Sequence, residues 1–337
     1  MWAPTFLPAV AFGLFDSPMK KILLTGANGF VGQTLSQLID RQRYTVTHAT
    51  SSDSCYSGTT EVDHVIKLDI RNENDVIAAI QKIKPDIVIH LAAISHVPTS
   101  FSQPLLTWQT NVLGTLNILE ALHKHAPQAF LLFVSSSEVY GDAFKSNQAL
   151  TEDSPCLPMN PYAASKLAAE LACQQYFKQG MQGVIARPFN HIGPGQSEAF
   201  VTASFAKQIA AIEMGLQDPI LQVGNLTAYR DFLDVRDVCA AYLVLIELRN
   251  KPLEKRIFNI ASGAACSIQE VLDTLLSLST ASIEVALDPQ RLRPSDIPFA
   301  VGNSQYLQAK TNWQPKYKLA AALKSLLDDW RKRLAAQ

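Results

Sequence analysis

Tyr162 and Lys166 stand four residues apart in a segment that favours a helix, Asn160-Pro-Tyr-Ala-Ala-Ser-Lys-Leu-Ala-Ala-Glu170. This spacing places both side chains on one helix face, and Pro161 suits the first turn. A free tyrosine has a pKa of about 10, and a neighbouring ammonium stabilises the phenolate and lowers that pKa. The pair could therefore exchange a proton with a substrate oxygen. By itself, however, the same spacing commonly marks only a solvated helix face.

A second reactive group follows an apolar segment, residues 129–134, that reads as a buried strand. It is the segment Ser135-Ser-Ser-Glu-Val-Tyr-Gly141, which supplies three hydroxyls and a carboxylate. In an open α/β sheet, ligands lie beyond the carboxyl ends of the strands. Three hydroxyls and one carboxylate at such a place are therefore a strong candidate for a site. The alternative is a serine-rich turn without chemistry.

The element that must position these groups is the segment Lys20-Lys-Ile-Leu-Leu-Thr-Gly-Ala-Asn-Gly-Phe-Val-Gly32. An apolar strand runs into three glycines spaced G-x-x-G-x-x-G and then into a helix predicted from about Phe30 to Arg41. Such a turn lets the backbone approach a pyrophosphate, and the helix N-terminus attracts it. We therefore expect this turn to bind a dinucleotide cofactor through Gly26, Asn28, Gly29, Phe30, Val31 and Gly32.

The next strands predict the rest of the cofactor site. The third strand, residues 64–68, ends at Asp69 and Ile70, where the carboxylate could contact an adenine or could simply cap the next helix. A further buried strand begins at residue 86 and runs into Leu91, Ala92 and Ala93. The small residues at its end would allow the ribose and phosphates of a cofactor to come close.

The second strand, residues 44–49, bears on the choice of cofactor. NAD-specific folds usually place an acidic residue at the end of this strand to bind the ribose 2′-hydroxyl. Here residues 48–52 read His-Ala-Thr-Ser-Ser, and the first acid is Asp53. Small hydroxyl residues tolerate a 2′-phosphate, but no arginine accompanies them. The segment therefore favours NADP, with NAD as the alternative.

Length and composition restrict the classes of function. The chain has 337 residues, which is typical of about two domains, and a formal net charge of -1. This charge argues against nucleic acid or an anionic membrane as partner. The five cysteines show no metal-ligand spacing, and no carboxylate or cysteine stands at ligand spacing from His90 or His96, so we expect no metal site. Reduced, mostly structural thiols favour a cytoplasmic location.

The pattern predicts an α/β protein with a doubly wound Rossmann sheet and a smaller, mostly C-terminal substrate-binding domain. We place the Rossmann domain at residues 19–190, joined by about 231–262, and the substrate domain at 191–230 and 263–337. Residues 1–18 are apolar but lack the basic start of a signal peptide, and they are too short to span a bilayer. We interpret them as a loose tail, or Met19 as the natural start.

Together these residues resemble the extended short-chain dehydrogenase/reductases that modify nucleotide sugars. The resemblance covers nearly the whole chain after Met19 and includes the glycine turn, Asn111, the serine segment and the Tyr162–Lys166 pair. Later motifs narrow it to the GDP-mannose branch, and within that branch the pattern is most similar to GDP-4-dehydro-6-deoxy-D-mannose reductases. These motifs are Arg187-Pro-Phe-Asn-His-Ile-Gly-Pro-Gly195, Val223-Gly-Asn-Leu-Thr-Ala-Tyr-Arg-Asp-Phe-Leu-Asp-Val-Arg-Asp237, Arg293-Pro-Ser-Asp296 and Thr311-Asn-Trp-Gln-Pro315.

The resemblance implies a reaction and roles for these residues. It implies that a C4 ketone on a GDP-linked 6-deoxy sugar is reduced by a nicotinamide cofactor, in polysaccharide biosynthesis. Tyr162 would be the general acid, Ser136 would bind the same oxygen, and Lys166 would hold the nicotinamide ribose. Asn111 would position Lys166 through a water molecule. A homodimer is also a family expectation.

Three arginines near predicted element ends suit recognition of a diphosphate. Arg187 and Asn190 follow a strand predicted at residues 183–187, and Arg230 and Arg293 stand near later element ends. Guanidinium groups bind phosphate in a bidentate manner. We therefore expect all four residues to contact the substrate, although any one arginine could instead form a surface ion pair.

Other functions remain open on the same residues. Ser137 and Glu138 stand where the 4,6-dehydratases of this family carry their acid and base, so GDP-mannose 4,6-dehydration is the first alternative. The turn residues Ala27 and Asn28, and the short chain, favour the reductase. A nucleotide-sugar 4-epimerase comes next. A cofactor-binding sensor without activity is the alternative from another class, because a fold does not fix a function.

Overall fold

The computed structural model describes residues 19–51, 63–291 and 297–336. A parallel sheet of seven strands forms its centre, in the spatial order β10-β6-β5-β4-β1-β2-β3. In chain order, the strands of the described residues are β1 (Lys20–Thr25), β2 (Tyr44–Thr50), β3 (His64–Lys67), β4 (Ile87–His90), β5 (Phe130–Val134), β6 (Gln182–Pro188), β7 (Asn190–Ile192), β8 (Ile220–Val223), β9 (Tyr229–Asp234), β10 (Ile257–Ile260), β11 (Ala265–Ser267), β12 (Glu284–Leu287) and β13 (Phe299–Ala300).

Helices cover both faces of this sheet. In chain order they are α1 (Phe30–Leu38), α2 (Glu73–Ile83), α3 (Val97–Ser102), α4 (Pro104–Trp108), α5 (Gly114–His125), α6 (Pro161–Lys178), α7 (Val201–Glu213), α8 (Val235–Ile246), α9 (Ile268–Ser277), α10 (Gln305–Thr311) and α11 (Leu319–Ala335). One hydrophobic core lies between the sheet and α1 with α8, and another lies between the sheet and α2, α5 and α6. This double burial explains why β1 and β5 read as unbroken apolar runs. The predicted Rossmann fold is confirmed.

The strand order fixes where a ligand can bind. β1 pairs with β2 on one side and with β4 on the other, so the chain changes direction of winding between β1 and β4. The crossover connections leave β1 and β4 toward opposite faces, which opens a crevice at their carboxyl ends. The glycine turn follows β1, and the serine segment follows β5, so both reach the same edge of the sheet.

A second group of elements packs beside the main sheet. β7, β9, β11 and β13 form one small sheet, β8 and β12 form another, and a separate core joins them to α7, α9 and α11. The chain returns to the main sheet in between, because α8 packs against α1 and β10 pairs with β6. The exact boundaries between two domains stay a prediction.

The helical segment between β4 and β5 is interrupted. α4 ends at Trp108, residues Gln109–Leu113 form a single π-helical turn, and α5 continues from Gly114. Asn111 lies inside this wide turn, where its side chain bonds to the backbone of Ile94. Asparagine is a poor residue in a regular helix, and a π turn is commonly tolerated at functional sites.

Candidate active site

The carboxyl ends of the main strands open into a cavity of about 600 Å³. Its length runs from the end of β3 past the glycine turn to the start of α6, and α7 and the β6–β7 connection close one side. Most of the predicted site residues line it. They are Gly26, Asn28, Gly29, Phe30, Val31, Gly32, Asp69, Ile70, Leu91, Ala92, Ala93, Ser136, Ser137, Glu138, Tyr162, Lys166 and Asn190.

The glycine turn has the geometry that a diphosphate requires. Gly26 has φ +70, and a Cβ atom there would lie 2.8 Å from the backbone nitrogen of Ala92. A Cβ atom on Gly32 would lie 2.5 Å from the carbonyl oxygen of Gly26. Neither position therefore accepts another residue without moving the backbone. Helix α1 starts at this turn without an acidic residue or a side-chain cap, so its N–H groups face the cavity and fit an anionic ligand.

Tyr162 and Ser136 meet at the other end of the cavity. Asn160 caps α6 by accepting a hydrogen bond from the backbone nitrogen of Ala163 at 2.8 Å, which fixes the first turn that carries Tyr162. Burial raises the pKa of Tyr162 to about 12, against the opposing effect of its hydrogen bond with Ser136. The phenol is therefore protonated near neutral pH. A protonated phenol paired with a serine hydroxyl can donate a proton to a substrate oxygen.

Lys166 lies beneath this pair and is almost completely buried. Its ammonium donates to the carbonyl oxygen of Val134 at 2.6 Å and lies 4.9 Å from the centre of the Phe133 ring. Burial lowers the pKa of Lys166 to about 8, although Cys173 and Glu170 act in the opposite direction.

The predicted lowering of the Tyr162 pKa by Lys166 is wrong for this structure. Burial and then Glu138 raise the pKa of Tyr162 against the opposing effect of Ser136, and the Lys166 ammonium is not among the causes. The physical reason is that Lys166 is held by the main-chain carbonyl of Val134, at the end of β5. Helical spacing placed the two residues on one face, but it could not show where the long lysine side chain is anchored.

Replacing Lys166 by methionine is expected to stabilise the protein. Because the pKa of Lys166 is lowered to about 8, the unfolded chain binds more protons between that pH and its usual pKa of about 10.4. The stability of the native protein should therefore rise with pH across this window. The gain in unfolding free energy of K166M over the native protein should be largest below this pH window, at up to about 3 kcal/mol, and should shrink above the window. Urea unfolding at several pH values measures this difference.

Lys178→Met provides the matched control, because Lys178 is an exposed lysine at the end of the same helix. Its effect should be small and independent of pH. If the difference in unfolding free energy between K166M and the native protein did not change with pH, burial of the Lys166 ammonium would not destabilise the protein as predicted.

Glu138 is held beside the reactive pair by Asn160. The side-chain nitrogen of Asn160 donates to the Glu138 carboxylate at 3.1 Å, while its oxygen caps α6. One asparagine thus fixes both the carboxylate and the helix that carries Tyr162. The backbone nitrogen of Glu138 also donates to the Ser136 hydroxyl oxygen at 3.2 Å. The site therefore presents a hydroxyl, a phenol and a carboxylate in a fixed arrangement.

Asn111 does not line the cavity, and its side chain is fully engaged. Its oxygen accepts from the Ile94 backbone nitrogen at 2.8 Å, and its nitrogen donates to the Ile94 carbonyl and to the Ser165 hydroxyl. Ser165 in turn donates to the carbonyl oxygen of Tyr162 at 2.7 Å. Asn111 therefore ties the loop after β4 to α6. Its proposed action on Lys166 stays a prediction.

The prediction that Arg187 binds the substrate diphosphate is wrong. Its side chain is 3% exposed, and its guanidinium donates three hydrogen bonds to the Glu170 carboxylate on α6, at 2.9, 3.3 and 2.6 Å. It also donates to the Tyr140 hydroxyl at 3.1 Å and stacks over the Tyr140 ring. β6 is an inner strand, so this arginine points into the protein and its charge is satisfied there.

The other two predicted arginines have different outcomes. Arg230 lies on β9, away from the cavity lining, and donates to the carbonyl oxygens of Tyr229 and Ile297 at 2.8 and 2.6 Å. Its contact with substrate stays a prediction. Arg293 lies outside the described residues.

The structure adds residues that the sequence did not indicate. His191 stacks on Phe30, with ring centres 5.8 Å apart, and thereby joins the β6–β7 region to the glycine turn. His191 lies in the motif that begins at Arg187, and this motif is the sequence feature that could have indicated it. Ser135 and Tyr242 also line the cavity, and their buried hydroxyls have no hydrogen-bond partner within the described part of the chain.

Arg71 lines the cavity beside Asp69 and Ile70. It follows β3 rather than β2, so the sequence at the end of the second strand does not indicate it. Its guanidinium pairs with both carboxylate oxygens of Asp69, at 2.9 and 2.5 Å. Ser51 lines the same end. A guanidinium and a hydroxyl therefore line this end of the cavity.

Two further features bear on the class of site. Across residues 19–51, 63–291 and 297–336, the structure contains no cluster of three or more metal-ligating side chains. Among the helices of these same ranges, none has the length and apolar character needed to cross a membrane.

Comparisons with known proteins agree with this geometry. The family model for GDP-mannose 4,6 dehydratase matches residues 23–326. The GDP-6-deoxy-D-mannose reductase of Pseudomonas aeruginosa is 37% identical over 94% of this chain and 98% of its own length. The GDP-mannose 4,6-dehydratase of Yersinia enterocolitica is 27% identical over 88% of this chain and 90% of its own.

Solved structures give the same result. The structure of RMD from Pseudomonas aeruginosa complexed with NADPH superimposes with a TM-score of 0.79 at 33% identity, and the match covers 94% of this chain and 100% of that one. The resemblance to nucleotide-sugar-modifying short-chain dehydrogenase/reductases is thus confirmed. The glycine cradle, the Ser136–Tyr162 pair and the match over residues 23–326 show that the chain belongs to the GDP-mannose 4,6-dehydratase family.

Proposed function

We propose that this protein reduces the C4 ketone of GDP-4-dehydro-6-deoxy-D-mannose with NADPH. The observation that carries the proposal is the protonated Tyr162 phenol, which lines the cavity together with Ser136 at the end of a dinucleotide cradle. A ketone reductase needs a proton donor at this point. The similarity to a GDP-6-deoxy-D-mannose reductase and to a structure with NADPH supports the same reaction.

Residues at different points along the cavity would have different roles. The turn from Gly26 to Gly32 would bind the cofactor diphosphate, and Asp69 with Ile70 would bind the adenine end. Lys166 would hold the nicotinamide ribose. When bound, NADPH supplies the hydride that reduces C4. Tyr162 donates its proton to the C4 oxygen, and Ser136 donates a hydrogen bond to that same oxygen, which stabilises the charge that develops there.

NADP is the cofactor that the adenine end favours. Ser51 and Arg71 offer a hydroxyl and a guanidinium there, and no acidic residue stands at the described end of β2 to bind a free 2′-hydroxyl. Arg71 would exchange part of its bond with Asp69 for the 2′-phosphate. NAD remains the alternative, and the ratio of affinities for NADPH and NADH decides between them.

GDP-mannose 4,6-dehydration is the second candidate, because Glu138 provides a carboxylate that could remove a sugar proton. Asn160 holds that carboxylate beside Tyr162 and Ser136. Two incubations separate the reactions. The reductase should consume NADPH in the presence of GDP-4-dehydro-6-deoxy-D-mannose and should leave GDP-mannose unchanged. Conversion of GDP-mannose without added reductant would instead establish the dehydratase.

We also propose that the protein forms a homodimer in the cytoplasm. α4 and α6 pack against each other and present exposed apolar side chains, including Leu105 (79% exposed) and Leu171 (59% exposed). Such a face commonly marks a contact between proteins. L105E combined with L171E should yield monomers in sedimentation experiments. Leu216→Glu, at an equally exposed leucine after α7, should leave the assembly unchanged.

A further inference from the structure

Tyr242 is a buried tyrosine whose hydroxyl is unused. It lies on α8, in the core that packs α1 and α8 against the main sheet, and its side chain is 0% exposed. Within the described residues its hydroxyl has no hydrogen-bond partner. A buried hydroxyl without a partner costs free energy, and phenylalanine would fill the same space without that cost. The hydroxyl is therefore expected to find its partner in another state of the protein.

Other buried tyrosines show the usual arrangement. The hydroxyl of Tyr140 donates to Asn259 at 2.7 Å and accepts from Arg187 at 3.1 Å. Tyr140 is as deeply buried as Tyr242 but does not line the cavity. Of these two tyrosines, the one whose hydroxyl has no partner within the described residues is thus the one that lines the cavity.

The position of Tyr242 identifies the part of the ligand. One turn earlier on α8, the Cys239 thiol contacts the carbonyl oxygen of Val31, so this face of α8 lies against the start of α1. Tyr242 lines the cavity together with Val134, at the end of β5, and with Tyr162. Burial, Cys239 and Tyr162 all raise the pKa of Tyr242, which places the two phenols in one electrostatic neighbourhood. Tyr242 therefore lies at the end of the cavity that Tyr162 lines, and not at the end that is proposed to bind the adenine.

We infer that the Tyr242 hydroxyl forms a hydrogen bond with the nicotinamide carboxamide of the bound cofactor. This inference rests on the proposed function only for the class of cofactor. A carboxamide offers both a carbonyl acceptor and N–H donors, so a phenol can pair with it in either direction. A bond from α8, on the side of α1, would thus help to hold the nicotinamide at the end of the cavity that Tyr162 lines.

The test compares two ligands on native protein and on Y242F. NADPH carries the carboxamide, whereas 2′-phospho-ADP-ribose lacks the nicotinamide altogether. Y242F should bind NADPH about tenfold more weakly, which is the loss of one hydrogen bond to a ligand, and should bind 2′-phospho-ADP-ribose with unchanged affinity. Fluorescence titration without sugar substrate gives both dissociation constants. An unchanged Kd for NADPH, or an equal loss for both ligands, would overturn the assignment.

Thermal unfolding distinguishes this role from a merely structural one, because loss of a structural hydrogen bond would lower the melting temperature of Y242F. Without ligand, Y242F should melt at the same temperature as the native protein or higher, because the unpaired hydroxyl is gone. Tyr140→Phe is the matched control and should melt lower, since it breaks a satisfied pair, while its Kd for NADPH stays native. If Y242F does not fold, Tyr242→Met allows the same comparison of the two ligands.

The outcomes also separate this inference from the proposed reaction. Dehydration of GDP-mannose would overturn the reductase but would leave the Tyr242 comparison intact, because the binding experiment contains no sugar. Failure of the native protein to bind NADPH would overturn the Tyr242 assignment together with the class of cofactor.

Discussion

Tyr162→Phe is expected to reduce the turnover of GDP-4-dehydro-6-deoxy-D-mannose by about 10²–10⁴-fold, the usual contribution of a positioned proton donor. The phenol is buried and lines the cavity with Ser136, and its raised pKa keeps it protonated near neutral pH. Phenylalanine keeps the ring and its packing but removes the proton. Turnover should therefore fall while the Kd for NADPH stays close to its native value. Initial rates of NADPH oxidation and a binding titration measure the two effects separately.

Tyr176→Phe is the matched control for this prediction. Tyr176 lies on the same helix, and its hydroxyl bonds with Glu120 outside the cavity. Its replacement should leave turnover unchanged. A Y162F protein that kept its native rate would show that another group protonates C4. A native protein that binds NADPH but turns over no sugar substrate would favour the sensor.

The sequence predicted those parts of the fold that depend on local patterns. The glycine spacing after β1 reports a steric requirement within one turn, since a Cβ atom on Gly32 would meet the carbonyl oxygens of Gly26 and Ala27. The apolar runs of β1 and β5 likewise report burial on both faces. Such signals lie within a few residues, so they can be read without the rest of the chain.

The errors and omissions arise where distant elements meet. Arg187 lies near the end of a buried strand. Only the packing of α6 against β6 shows that its guanidinium pairs with the Glu170 carboxylate. Tyr242 comes from α8, more than a hundred residues after the glycine turn it approaches. No local pattern distinguishes a charge that is satisfied inside the protein from one that is directed at a ligand.

Arg187→Met is expected to lower the free energy of unfolding by about 3–5 kcal/mol, the usual cost of removing one partner from a buried ion pair. The Glu170 side chain is 0% exposed and would lose its guanidinium, and the Tyr140 hydroxyl would lose a donor. Although burial alone would lower it, the bonds to Glu170 hold the pKa of Arg187 above its usual range. The arginine therefore stays charged at every pH at which the protein folds. Urea denaturation measures the loss.

The double variant R187M/E170L decides between the structural role and the role first predicted. Removing both charges leaves no unpaired ion, so the double variant should recover much of the stability that R187M loses. Its Km for the GDP sugar should then lie near the native value, because Arg187 does not reach the cavity. A stable double variant with a large rise in Km would instead restore Arg187 as a ligand of the diphosphate. The buried pair thus joins α6, which carries Tyr162 and Lys166, to the strand beside β5, and holds the reactive residues in place without touching the substrate.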